Sequence, residues 1–135
     1  MILLDGYKTW VTDDRLGLTV GVNDSSSADP DGDGISNLLE FALCGAPMIS
    51  SQAVLPTLKK SVGGMLFEYN RSDVSLFTTT QVVEYGSDLS GWISVIIPAI
   101  STGIVGITPG SPSDRVSVTI PNSGNRLFVR LKVSQ

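Results

Sequence analysis

Apolar positions along the chain follow two different periods. Before residue 46 they recur three and four apart, first at Tyr7, Trp10 and Val11, then at Leu38, Leu39, Phe41, Ala42 and Leu43. This spacing predicts a helix over residues 5–16, capped by Asp5 and stopped by Gly17. It predicts a second, shorter helix capped by Asn37, with Glu40 three residues on in a variant of the capping box, and ended by Gly45 and Pro47. An apolar link at 18–22 and a polar turn at 23–28 come between them.

Beyond a Ser-rich link at 49–52 the period becomes two. Val116, Val118 and Ile120 alternate with Arg115, Ser117 and Thr119, and Leu127, Val129, Leu131 and Val133 with Arg126, Phe128, Arg130 and Lys132. Strands are expected near 55–61, 65–71, 79–85, 92–97, 104–108, 115–120 and 126–133. Turn signals at Gly63-Gly64, Ser90-Gly91, Pro109-Gly110 and 122–125 separate them. The fold class is therefore mainly β: a seven-strand antiparallel sandwich of the immunoglobulin or fibronectin type III kind, preceded by a helix–loop–helix. Residues 1–46 form the helical part and 54–135 the sandwich, packed together as one unit.

Charge changes the picture in the helical part. Residues 1–45 hold eight acids against Lys8 and Arg15, a net of −6, while 46–135 hold five acids against seven bases, a net of +2. An acidic chain without a basic cluster is a poor partner for nucleic acid. No apolar run approaches the roughly 18 residues of a membrane span. With no histidine in the sequence, Ser-His-Asp and Cys-His catalysis and His-containing zinc sites are ruled out. Cys44 is the single cysteine, so an intrachain disulfide cannot form; it is expected as a small buried residue.

The acids concentrate in Asp29-Pro-Asp-Gly-Asp-Gly-Ile-Ser-Asn-Leu-Leu-Glu40. With Asp29 as loop position one, carboxylates stand at one, three, five and twelve (Asp29, Asp31, Asp33, Glu40), and Gly34 stands at six. That is the EF-hand calcium spacing. Alternate side chains of a tight loop converge on one point, and the glycine permits the turn that re-aims the chain. Ile35 would offer its carbonyl, Asn37 would act directly or through a water, and Glu40 would close the shell with both oxygens. Unneutralised, such like charges repel by about 1 kcal/mol per pair at 4 Å even in water. A shell of seven oxygens with a bidentate Glu suits Ca2+ better than octahedral Mg2+, and the donors are too hard for zinc.

The run D-x-D-G-D-G-I-S-N-L-x-E-F resembles the thrombospondin type 3-like and dockerin-like calcium loops of secreted bacterial proteins, matching at Asp29, Asp31, Gly32, Asp33, Gly34, Asn37 and Glu40. The order of a Trp-bearing helix, this loop, LPTL, GGMLFEYNRS, VVEYGSDLSGW and RLFVRLKVSQ is similar to a C-terminal module of large secreted proteins of environmental bacteria. The resemblance implies a non-catalytic secreted or cell-surface role, attachment, display or secretion of a larger exported protein, with the signal peptide upstream. The alternative is a carbohydrate-binding module of an extracellular enzyme. Calcium is the expected cofactor, and a cell-surface glycan or protein the expected partner.

Other side chains carry weaker chemistry. Glu68, Glu84, Asp73 and Asp88 could supply a glycosidase pair only if two stood about 5–9 Å apart. Tyr85 and Trp92 could stack on a sugar, but Trp92, directly after a turn, is expected in the sandwich core, and Trp10 on the first helix is likewise expected to be a core residue. Arg126, Arg130 and Lys132 read as a solvated face of the last strand.

Overall fold

The computed structural model describes residues 6–121 and 126–135. Asp5, expected as the first cap, and the turn at 122–125 lie outside them. The first helix is shorter than its apolar spacing suggested. Helix α1 spans Gly6–Val11, and a separate 3-10 turn follows at Asp14–Leu16. Asp13 accepts from the Arg15 amide and so starts that turn anew, and Gly17 ends it at φ 77°. Helix α2 spans Asn37–Leu43. Its cap is Ser36, not Asn37: the Ser36 hydroxyl accepts from the Leu39 amide. Asn37 is thereby free to turn its side chain inward.

Seven strands follow: β1 (Thr57–Ser61), β2 (Gly64–Ser72), β3 (Thr80–Gly86), β4 (Ile93–Ile96), β5 (Val105–Thr108), β6 (Ser113–Ile120) and β7 (Phe128–Ser134). They form two antiparallel sheets, one ordered β1-β2-β6-β5 and the other β4-β3-β7. Both sheets turn apolar faces into one core of Phe67, Tyr69, Val83, Val105, Ile107, Val116, Val118 and Ile120, a sandwich-like arrangement. The alternation in β6 is fully expressed, with Val116, Val118 and Ile120 completely buried.

Helix α2 belongs to both parts of the molecule. It contacts β2 and β7, and Leu43 is a member of the sheet core, with Leu39 packed beside it. Its other side meets α1. Phe41 stacks with Tyr7 edge-on at 5.7 Å and with Trp10 at 5.5 Å, forming a second cluster with Val11. The Ser72 hydroxyl of β2 donates to the Phe41 carbonyl at 2.5 Å. The loop before α2 is thus joined to the sheets through one seven-residue helix.

Candidate metal centre

The loop from Asp29 to Ser36 is shaped by its own carboxylates. Asp29 Oδ2 accepts from the Gly34 amide at 2.9 Å and Asp31 Oδ1 from the Asp33 amide at 3.1 Å. Gly32 and Gly34 take φ values of 71° and 87°, a region open to glycine without strain. The bracing uses one oxygen of each acid. The other, Asp29 Oδ1 and Asp31 Oδ2, is buried and has no hydrogen bond. Asp33 instead spends both oxygens on amides, Ile35 at 2.9 Å and Ser51 at 2.7 Å. Asp29, Asp31 and Asp33 each offer a carboxylate oxygen, and these lie within 4.8 Å of one another.

Glu40, in the first turn of α2, stands near enough to feel the charges of all three aspartates, but it is not part of the group within 4.8 Å. It is fully buried, and neither carboxylate oxygen has a hydrogen-bond partner. Burial, and then the charges of Asp33, Asp31 and Asp29, push its pKa up to about 7. Space for the carboxylate comes from Gly45, where a Cβ would fall on the Glu40 carboxylate itself. Gly45 therefore serves Glu40 by lacking a side chain. The left-handed position that ends the helix is taken by Cys44, at φ 62°. That also corrects the expectation for Cys44, which is exposed at the helix end.

Asn37 is buried too. Its Nδ2 donates to the Asn23 carbonyl at 2.8 Å and to the Ser25 carbonyl at 3.0 Å, which leaves Oδ1 without a partner. The side chain of Ile35 enters the core, and among the described residues no backbone hydrogen bond reaches its carbonyl. The flanks of the loop are held from both sides. The Asn37 and Leu38 amides donate to Ala28 and Ser26, and the Tyr7 hydroxyl donates to the Asp24 carbonyl at 2.8 Å. On the far side, Gln52 Nε2 donates to the Asp33 carbonyl at 2.7 Å.

Five buried oxygens without partners, all from acidic or amide side chains of one loop and its helix, are a costly arrangement if nothing neutralises them. The donor set is all oxygen and rich in charge, and it fits a hard metal cation. Three contributors were invisible in the spacing. Ser51 and Gln52 come from the link to the sheets, and Gly45 looked like an ordinary helix stop.

Of the other candidate acids, Asp73 lies beside Asp114, which is itself paired with Arg71 at 3.0 Å, and Glu68, Glu84 and Asp88 have separate partners. Glu68 lies on the outer face of the four-stranded sheet, paired with Lys59 at 2.9 Å. Glu84 lies on the outer face of the three-stranded sheet, bound by Arg130 at 2.8 Å and by the Ser94 hydroxyl at 3.2 Å. Asp88 braces its own turn through the Ser90 and Gly91 amides. Tyr85 packs against the core, whereas Trp92 is absent from it and lies on the outer face with the Arg130 guanidinium 4.0 Å above its ring. The expectation of a core Trp92 fails: the indole stands just before β4, its Nε1 donates to the Leu89 carbonyl at 3.1 Å, and the Arg130 guanidinium covers its ring. Tyr85 and Trp92 face opposite sides, so they cannot clamp one sugar ring. No family model matches this chain, and neither does any curated protein or solved structure.

Proposed function

We propose that the protein is a non-catalytic, calcium-binding extracellular module whose ion holds the fold, serving attachment or display of a larger exported protein. The observation that carries this reading is Glu40: fully buried, without a hydrogen-bond partner on either oxygen, and near enough to feel the charges of three aspartates. A divalent cation supplies the missing partner for every orphaned oxygen at once. The ligands are Asp29, Asp31, Asp33, the Ile35 carbonyl and Glu40, with Asn37 direct or through water. Calcium is favoured over magnesium because Glu40 presents both oxygens, and an octahedral shell has no room for a bidentate carboxylate beside five other donors. An immunoglobulin-like sandwich is the scaffold we infer for display, since the sheets present their loops and edges while the ion secures one end.

Calorimetric titration of chelated protein tests this reading. One calcium site is expected, with Kd no weaker than about 10⁻³ M, the range of extracellular modules, and with magnesium binding more weakly. A stoichiometry of zero, or preference for magnesium, overturns it.

A further inference from the structure

Two antiparallel sheets leave four edge strands: β1, β5, β4 and β7. β1 carries Lys59 and Lys60, and β7 carries Arg130 and Lys132. Cations on an edge discourage pairing with another copy of the same strand. β4 (ISVI) and β5 (VGIT) have none. The neutral zone is wider than these strands. Residues 89–113 contain no charged side chain, and they comprise β4, β5 and the connection between them. Within that zone Leu89, Ile93, Ile96, Ile100 and Ile104 are exposed, Ile96 by 70% and Ile100 by 76%. Among the described residues, no backbone hydrogen bond reaches the outer side of β4.

We propose that β4 is a docking edge for a second copy of this chain. Two β4 strands pair antiparallel across a two-fold axis, which joins the three-stranded sheets of two copies into one of six strands. Charge selects this occupant. The chain carries a net charge of −4, so copies repel one another over most approaches. Residues 89–113 bring no charged side chain of their own against their image, and the nearby Glu84 and Arg130 are already paired with each other at 2.8 Å. Burying Ile93 and Ile96 against the opposing strand, with Ile100 beside it, removes apolar surface from water. A bilayer is a poorer match, because the zone offers no Lys or Arg to engage headgroups.

The test is sedimentation of the full chain over a range of concentrations, at low and high salt, with hydrogen exchange read on the β4 amides. A reversible monomer–dimer equilibrium is expected. It should strengthen with salt, which screens the repulsion between acidic copies, and β4 protection should rise with protein concentration. Ile96→Lys should weaken the dimer at least about tenfold with an unchanged melting temperature, while Val62→Lys, at the turn between β1 and β2, should leave it intact. Should Ile96→Lys fail to fold, the wild-type exchange at β4 decides. A protein that stays monomeric throughout, a dimer indifferent to Ile96→Lys or without β4 protection, or a monomer that co-floats with phosphatidylcholine vesicles overturns the proposal.

Discussion

At the residue scale, the metal centre turns on how Glu40 is accommodated. Gly45 has no left-handed φ, so its backbone tolerates alanine, yet a Cβ there collides with the Glu40 carboxylate. Gly45→Ala should therefore weaken calcium binding at least about tenfold, or roughly 1.4 kcal/mol, while helix content is unchanged; calorimetry with circular dichroism checks both. Glu40 also sets a pH dependence in chelated protein. Its folded pKa of about 7 lies above the ordinary 4.5, so the folded state holds the proton more tightly. That contribution is complete below about pH 4.5 and is lost as pH rises toward 7, an effect of up to about 3 kcal/mol. Asp33, lowered chiefly by the Ser51 amide, acts in the opposite sense and only at lower pH. Chelated protein should melt higher at pH 5 than at pH 7.5, and Glu40→Gln should abolish most of that difference while losing calcium affinity. A chelated melting temperature that rises from pH 5 to 7.5 would show that Glu40 is not a buried, uncompensated charge.

At the element scale, α2 is the connection between ion and sheets. One face carries Glu40 and Asn37 to the loop, Phe41 meets Tyr7 and Trp10, and Leu43 enters the sheet core. Ion removal should loosen the loop and the helices of residues 6–46 first. The position of Leu43 extends that expectation to β2 and β7, which α2 touches, and leaves β6, flanked by β2 and β5, the most protected. Hydrogen exchange with and without chelator checks this order; equal protection of α2 in both conditions would sink a structural role for the ion. Leu43→Ala should cost about 2–5 kcal/mol and lower the denaturation midpoint of the whole chain, not of the helices alone.

At the scale of the whole molecule, Arg71 does what no local pattern announced. It is 1% exposed and sits in β2 opposite Asp114 of β6. Its guanidinium donates to the Pro98 carbonyl at 2.7 Å, the Ala99 carbonyl at 3.4 Å and Asp114 Oδ2 at 3.0 Å. One side chain thus ties β2, the start of β6 and the connection that leaves β4, across both sheets. Removing it leaves Asp114 and two carbonyls without their donor. Arg71→Ala should cost about 3–5 kcal/mol by chemical denaturation, far more than Arg115→Ala on the exposed outer face, whose contribution should stay below about 1 kcal/mol.

The sequence by itself determined the seven strands and the turn from one period to the other, because alternation with period two is a local property of which face meets the core. It also determined the grouping of Asp29, Asp31 and Asp33, because a short loop with glycines at 32 and 34 can bring near neighbours to one point with little help from elsewhere. Tertiary structure decided the rest. Asn37, expected as the cap, turned inward to the Asn23 and Ser25 carbonyls, with Ser36 capping the helix. Trp92 went to the outer face, Cys44 to the surface and Arg71 to the interior, each set by strands distant in sequence. Gly45, Ser51 and Gln52 joined the metal loop only because the link to the sheets folds back over it. Local periodicity encodes which residues face inward; which distant chain segment they meet there depends on how the two sheets and α2 pack.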